Sequence, residues 1–139
     1  MFHHILVPTD LTERSLKALD LALGMAMPEV GQISLLHVIE TIEDTGSDEF
    51  SDFYRQLEKR AREKMEEVAL KYLERRPFIG KEILYGKRVR EIVRFAEDRG
   101  VDLIVLSSHR VERETGLLGW GTISYKVGIL SHCHVMLVK

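Results

Sequence analysis

Three groups of residues in this sequence can carry chemistry, and each sits at the end of an apolar run or the start of the segment after one. Pro8-Thr9-Asp10 closes the run His4-Ile5-Leu6-Val7. Ser107-Ser108-His109-Arg110 follows Leu103-Ile104-Val105-Leu106, and Gly121-Thr122-Ile123-Ser124 opens the next periodic segment. A helix beginning at Gly-Thr offers free first-turn amides and the positive end of its dipole, a combination suited to an anion. Asp10 can take a ribose or base donor, or can serve only as a helix N-cap. His109 can donate to a bound phosphate or act on it as a base, and a structural bond to its own loop explains it equally well. The glycines of Gly116-Leu117-Leu118-Gly119-Trp120-Gly121 either let backbone approach a phosphate or only shape a turn. Trp120, between two of them, either covers a ligand or partner or packs within the chain.

The elements that must position these residues follow from periodicity. A strand over 4–8 ends at Pro8, and a helix over 12–26 follows, capped by Thr9 or Asp10, with Leu16, Leu19, Leu23 and Met27 on its core face. Residues 27–31 break it, and Ile33 to Ile39 form a second strand. An acidic, glycine-containing loop over 40–50 leads to a long amphipathic helix over 51–75, striped by Phe53, Leu57, Ala61, Met65, Val68 and Leu73 and ended by Pro77. A third strand spans 78–85, Gly86 turns the chain, and a third helix covers 87–99 with Val89, Ile92, Val93 and Ala96 inward. Strand four is Leu103 to Leu106. A fourth helix after Gly121 shows Ile123, Val127 and Leu130 on one face, and His134 to Val138 is the last strand.

Strands and helices alternate without interruption, and the strands are continuously apolar rather than alternating. That pattern predicts parallel strands joined by right-handed crossovers, covered by helices on both faces. The expected fold is one doubly wound α/β domain over residues 1–139, with five strands in the order 3-2-1-4-5. Ligands of such sheets sit beyond the carboxyl ends of the strands, where the strand order reverses. Pro8, Thr9 and Asp10, then Val38, Ile39 and Glu40, then Ser107, Ser108, His109 and Arg110, and finally Gly121 and Thr122 should line that crevice. An acid with backbone groups at one end, and amides with hydroxyls at the other, suit a nucleotide.

Composition narrows the classes further. A formal net charge of -2 gives no reason to expect nucleic acid or acidic membranes as partners. No apolar stretch approaches the roughly 20 residues needed to span a bilayer, and no signal peptide is visible before Pro8. Cys133 is the single cysteine, so no internal disulfide can form and a cytoplasmic location is expected. His132 and His134 flank it, and His3-His4 should lie at the same end of the sheet. His132 and His134 are read as turn and surface residues, no metal site is assigned, and Cys133 is read as a packed small residue. There is no Walker loop, no G-x-S-x-G elbow and no acidic cluster for tight magnesium binding, so no catalytic residue is assigned.

The chain resembles the universal stress protein family over its whole length. His4-Ile5-Leu6-Val7-Pro8-Thr9-Asp10 resembles the strand-one motif, Leu36-His37-Val38 the end of strand two, and Gly86 the glycine before helix three. Val101 to His109 resembles the strand-four motif, and Gly121-Thr122-Ile123 through Lys126-Val127 the helix after it. Ser131-His132-Cys133-His134-Val135 stands where the family often has Ala-Pro-Cys-Pro-Val. The resemblance implies a homodimer and, in one branch, ATP held by a pattern G-x2-G-x9-G-S/T. Residue by residue, Asp10 and the Val38 backbone would then meet adenine or ribose, with Pro8 and Thr9 beside them. Gly121, Thr122, Ile123 and Ser124 would line the phosphates.

Two departures stand out. The first two glycines of the pattern fall on Ser107 and Arg110, and the interval to Gly121 is one residue longer. Glycine there permits close backbone approach or φ > 0, which a side chain opposes. Arg110 either clamps a phosphate or fills the site. The function expected is a regulatory module that binds an adenine nucleotide, ATP with or without Mg2+, with little or no turnover. The rivals are a slow ATPase and a dimeric interaction module with a degenerate pocket that works through protein partners. The final strand, with Val135 and Leu137, would pair with its twofold mate to hide an apolar edge.

Overall fold

The computed structural model describes residues 1–41, 51–72, 78–108 and 122–139. Five strands are formed: β1 (His4–Pro8), β2 (Gln32–Glu40), β3 (Phe78–Gly86), β4 (Leu103–Ser107) and β5 (His134–Val138). All pair in parallel in the order β3-β2-β1-β4-β5, as the apolar runs require. Between them run α1 (Glu13–Met25), α2 (Ser51–Leu70), α3 (Arg88–Asp98) and α4 (Thr122–Leu130).

Strand side chains alternate between two faces, so the sheet builds two separate cores. On one face Ile5, Val7, Ile33, Leu35, Leu103 and Val105 pack with Leu19 and Leu23 of α1 and Met65 and Val68 of α2. On the other, Leu6, Leu36, Val38, Ile104 and Leu106 pack with Ile92 and Phe95 of α3 and Val127 of α4. β1 is buried along its whole length, which makes its carboxyl end a fixed platform.

Local details depart from the periodic expectation. The N-cap of α1 is Thr12, whose side chain accepts from the Ser15 amide, and not Thr9 or Asp10. Those two residues instead shape the turn leading into the helix. Met27 lies beyond the end of α1 and Leu16 is only half-buried, while Ala18 and Ala22 fill the space between Leu19 and Leu23. Phe53 and Leu130, expected inward, are exposed. Both lie in the terminal turn of a helix, where the helical stripe runs past the sheet it covers. Leu73 and the loop 42–50 fall outside the described residues.

Candidate functional site

The turn after β1 is held by hydrogen bonds at nearly every atom. The Thr9 amide donates to the Leu36 carbonyl at 2.8 Å, extending the β1–β2 ladder by one bond. The Thr9 hydroxyl oxygen accepts from the Leu11 amide at 2.9 Å and lies 2.6 Å from the Ser15 hydroxyl. Ser15 donates its own proton to the Thr12 carbonyl at 2.9 Å, so Thr9 is the donor in that contact. Thr12 donates to Asp10 Oδ1 twice, from its hydroxyl at 2.6 Å and its amide at 3.0 Å. Leu11 adopts φ +69°, a left-handed conformation that a side chain opposes and that this bonding maintains.

Asp10 is exposed at the tip of this turn. Partial burial pushes its carboxyl pKa up, but the Thr12 hydroxyl and amide, helped by the Ser15 hydroxyl and its own backbone, hold it below the usual 3.8. Asp10 is therefore an ionised acceptor at neutral pH. Both Thr12 bonds fall on Oδ1, which leaves Oδ2 for a donor from outside.

β2 contributes the second wall. Leu36 turns its carbonyl toward β1, where Thr9 takes it. Strand alternation turns the amide and carbonyl of Val38 the same way, but β1 has already bent away into the Thr9–Thr12 turn. Val38 thus presents an adjacent backbone donor and acceptor at the point where its neighbour strand ends. His37, next to it, donates from Nδ1 to the Thr9 carbonyl at 2.9 Å.

These groups surround one crevice of about 240 Å³ above the carboxyl ends of β1, β2 and β4. That size suits a single small molecule rather than a macromolecular segment. Of the residues expected from sequence, Pro8, Thr9, Asp10, Val38, Ser107, Ile123 and Ser124 all line it. Ser124 is buried and Ile123 half-buried in the first turn of α4, which Thr122 begins. Ile39 is buried and Glu40 exposed, and, contrary to expectation, neither lines the crevice. Ser108 is buried, its amide donating to the Val138 carbonyl at 2.8 Å. His109, Arg110, Trp120 and Gly121 lie outside the described residues.

Sequence reasoning passed over Ser15, His37, Arg88 and Ile92, which also line the crevice. His37 was findable by its place at the end of β2, whereas the position of Ser15 depends on Thr12 being the N-cap. Arg88 and Ile92 reach the crevice only because α3 begins just past the Glu40–Gly86 pair that ends the β2–β3 ladder.

At the opposite end of the sheet the histidines have structural roles. His4 is buried at the start of β1. Its Nδ1 donates to the Arg99 carbonyl at 3.0 Å, and its Nε2 lies 2.7 Å from the Ser34 hydroxyl. His3 and His132 lie within 3.5 Å of Asp102 and Glu97 respectively, and His134 stacks edge-on with Phe2. Among the described residues no group of three His, Cys, Asp or Glu side chains can hold a metal. Cys133 is half-buried beside the α3–α4 core, and burial pushes its thiol pKa up, which disfavours the reactive thiolate.

A parallel sheet of order 3-2-1-4-5 with a polar crevice at its strand-order reversal defines an α/β protein with a small-ligand site. The chain belongs to the universal stress protein family, whose model matches residues 1–139. It is 31% identical over 151 residues to the universal stress protein YxiE of Bacillus subtilis, covering all of both chains. It is also 31% identical to the universal stress protein MJ0577 of Methanocaldococcus jannaschii, covering all of this chain and 96% of the other. The solved structure of MJ0577 superposes with a TM-score of 0.82. Two more distant members share the fold: one from Arabidopsis thaliana with AMP bound (19% identity, TM-score 0.68, 99% and 91% coverage), and one from Archaeoglobus fulgidus in complex with dAMP (16%, 0.69, 99% and 98%). Among the described residues no helix is long and apolar enough to cross a membrane.

Proposed function

We propose that this crevice binds an adenine nucleotide, ATP with or without Mg2+, and that the protein is a cytoplasmic homodimeric regulatory module with little or no turnover. The observation that carries this reading is the pairing of an ionised, preorganised Asp10 with the open backbone edge of Val38. The amide and carbonyl of Val38 match the acceptor and donor on the edge of adenine, and Asp10 Oδ2 is suited to ribose hydroxyls. Thr122, Ile123 and Ser124 begin α4 across the crevice, where first-turn amides and the helix dipole favour phosphate. Gly121 would lead into that turn, with His109 and Arg110 in the loop before it. The AMP and dAMP complexes of the two distant relatives support the ligand class.

Ser107 stands where the family's ATP pattern has its first glycine, and it lines the crevice without filling it. Its hydroxyl can donate to a phosphate where glycine would offer only backbone. The homodimer reading is supported by exposed apolar side chains on α4 and β5: Tyr125, Ile129 and Leu130 on the helix, and Met136 and Leu137 on opposite faces of the strand. Val135 packs against the α3–α4 core, so of the two residues expected at the interface Leu137 is the exposed one.

Thermal unfolding with and without millimolar Mg-ATP, with Mg-GTP as control, tests the proposal. Ligand at about 100 times its dissociation constant adds roughly 2.7 kcal/mol, which moves the midpoint by several degrees. A shift with ATP that exceeds the shift with GTP, and that disappears in Asp10→Ala, is expected. No shift with ATP overturns the assignment.

A further inference from the structure

We propose that Arg88 is a base-recognition residue whose guanidinium plane closes over the face of the bound purine; this rests on the nucleotide reading above. Arg88 is the first residue of α3 and its side chain lines the crevice, although the family pattern assigns it no part. The chain reaches it by a fixed route. The β2–β3 ladder ends at Glu40–Gly86, Gly86 turns at φ +144°, and Lys87 leads directly into the helix.

That route places Arg88 at the β2 end of the crevice, with Leu36, Val38 and Ile92 as its apolar neighbours on the cavity wall. Ser107, Ile123 and Ser124, on the phosphate side, belong to β4 and α4. Two strand spacings, about 10 Å, separate β2 from β4. A nucleotide lying with its phosphates at α4 therefore puts its base, not its phosphates, beneath Arg88.

The contacts of Arg88 with the protein leave it available for this. Its Nε lies 3.8 Å from Glu40 Oε1, both side chains are partly exposed, and such a pair adds little to stability. The carboxylate biases the direction of the side chain, and among the described residues no other ion pair engages the guanidinium. A guanidinium stacks on aromatic faces, and the attraction strengthens where water is excluded. Leu36, Val38 and Ile92, nearly fully buried, form the apolar floor of the crevice on this side, and the arginine covers it. Lysine, a point charge without a plane, is a poor substitute for it.

The test is calorimetric titration of wild type, Arg88→Ala and Arg88→Lys with AMP and with adenosine, which lacks the phosphate. Arg88→Ala is expected to weaken both ligands by the same factor, about tenfold, with Arg88→Lys recovering little of it. Thermal midpoints of the free variants should stay close to wild type, because the Glu40 pair is weak. A loss for AMP alone would make Arg88 a phosphate contact and overturn the proposal. Unchanged affinity for both ligands would leave Arg88 as a partner of Glu40 only. Wild type that binds AMP but not millimolar adenosine also overturns it, since the base then contributes too little. If wild type binds neither, the nucleotide assignment itself fails and this inference goes with it.

Discussion

The imidazole of His37 donates from Nδ1 to the carbonyl of Thr9 at 2.9 Å, tying the end of β2 to the turn that carries Asp10. Together with the Thr9 amide on Leu36, it holds Thr9 to β2 through both sides of its backbone. The bond also fixes which nitrogen carries the proton in the neutral ring, leaving Nε2 as an acceptor. The acid and the Val38 edge are thus set by one connection rather than by two independent elements.

Removing that connection should cost binding more than folding. His37→Phe keeps the ring but loses the donor, and a net loss of about 1 kcal/mol in stability is expected. Affinity for AMP should fall several-fold because the Asp10 turn is no longer held in register. Asn presents an amide N–H near the position of Nδ1, so His37→Asn should restore part of the affinity. Calorimetry on the two variants checks this; identical affinities would show that the Thr9 bond does not set the site.

Asp10 makes a pH prediction whose sign follows from its depressed pKa. A carboxylate stabilised in the folded state contributes stability above its unfolded value of about 3.8, and loses it as pH falls through the lower folded value. Asp10→Asn should therefore be less stable than wild type at pH 7, by less than about 1 kcal/mol because the group is exposed. The difference should close below about pH 4. Urea unfolding of both proteins across pH 3 to 7 measures it, and a gap that widens on acidification would contradict the assignment of Thr12 as the stabilising donor.

The fold was legible because the strands say the same thing at every level. Ile5, Leu6 and Val7, or Leu103 to Leu106, are apolar on both faces, and that requires a parallel sheet sandwiched between helices. Asp10, Val38 and Ser107 were legible as crevice residues because each falls at the carboxyl end of a strand in that sheet. The N-cap was not, since Thr9, Asp10 and Thr12 all have capping side chains, and only the left-handed Leu11 decides among them. Arg88 was hidden for a different reason: its sequence context, Lys87-Arg88-Val89-Arg90, reads as a solvated helix start. Its place at the crevice depends on register between β2 and β3, which no local pattern encodes. The partners of His4, the Arg99 carbonyl that accepts from Nδ1 and the Ser34 hydroxyl beside Nε2, lie far away in sequence and were not legible either.

Gly86 is the hinge of that register. Its φ of +144° is a conformation that side chains rarely adopt, and an added Cβ would meet Glu91 Cγ and Oε1 at 3.0 Å. Gly86→Ala should cost about 1–3 kcal/mol. Adding Glu91→Ala removes the contact but not the backbone strain, so the double variant should recover only part of the loss. Full recovery in thermal unfolding would mean that the Glu91 contact, and not the backbone angle, is what glycine accommodates there.

The edge at β5 yields the prediction that separates surface from core. Met136 and Leu137 are exposed on opposite faces of β5, the last strand in the sheet order, and Tyr125, Ile129 and Leu130 are exposed on α4. Pairing such an edge with its twofold copy satisfies its backbone groups and covers apolar side chains on both of its faces. Met136→Lys with Leu137→Lys should then convert a dimer to a folded monomer in sedimentation equilibrium, with far-ultraviolet circular dichroism unchanged. Val135→Lys should behave differently, because Val135 is packed into the α3–α4 core and a charge there lacks a partner. It should lower the thermal midpoint whatever the oligomeric state. A dimer that survives the double lysine variant would exclude this edge as the interface, and a harmless Val135→Lys would contradict the packing of β5 against α4.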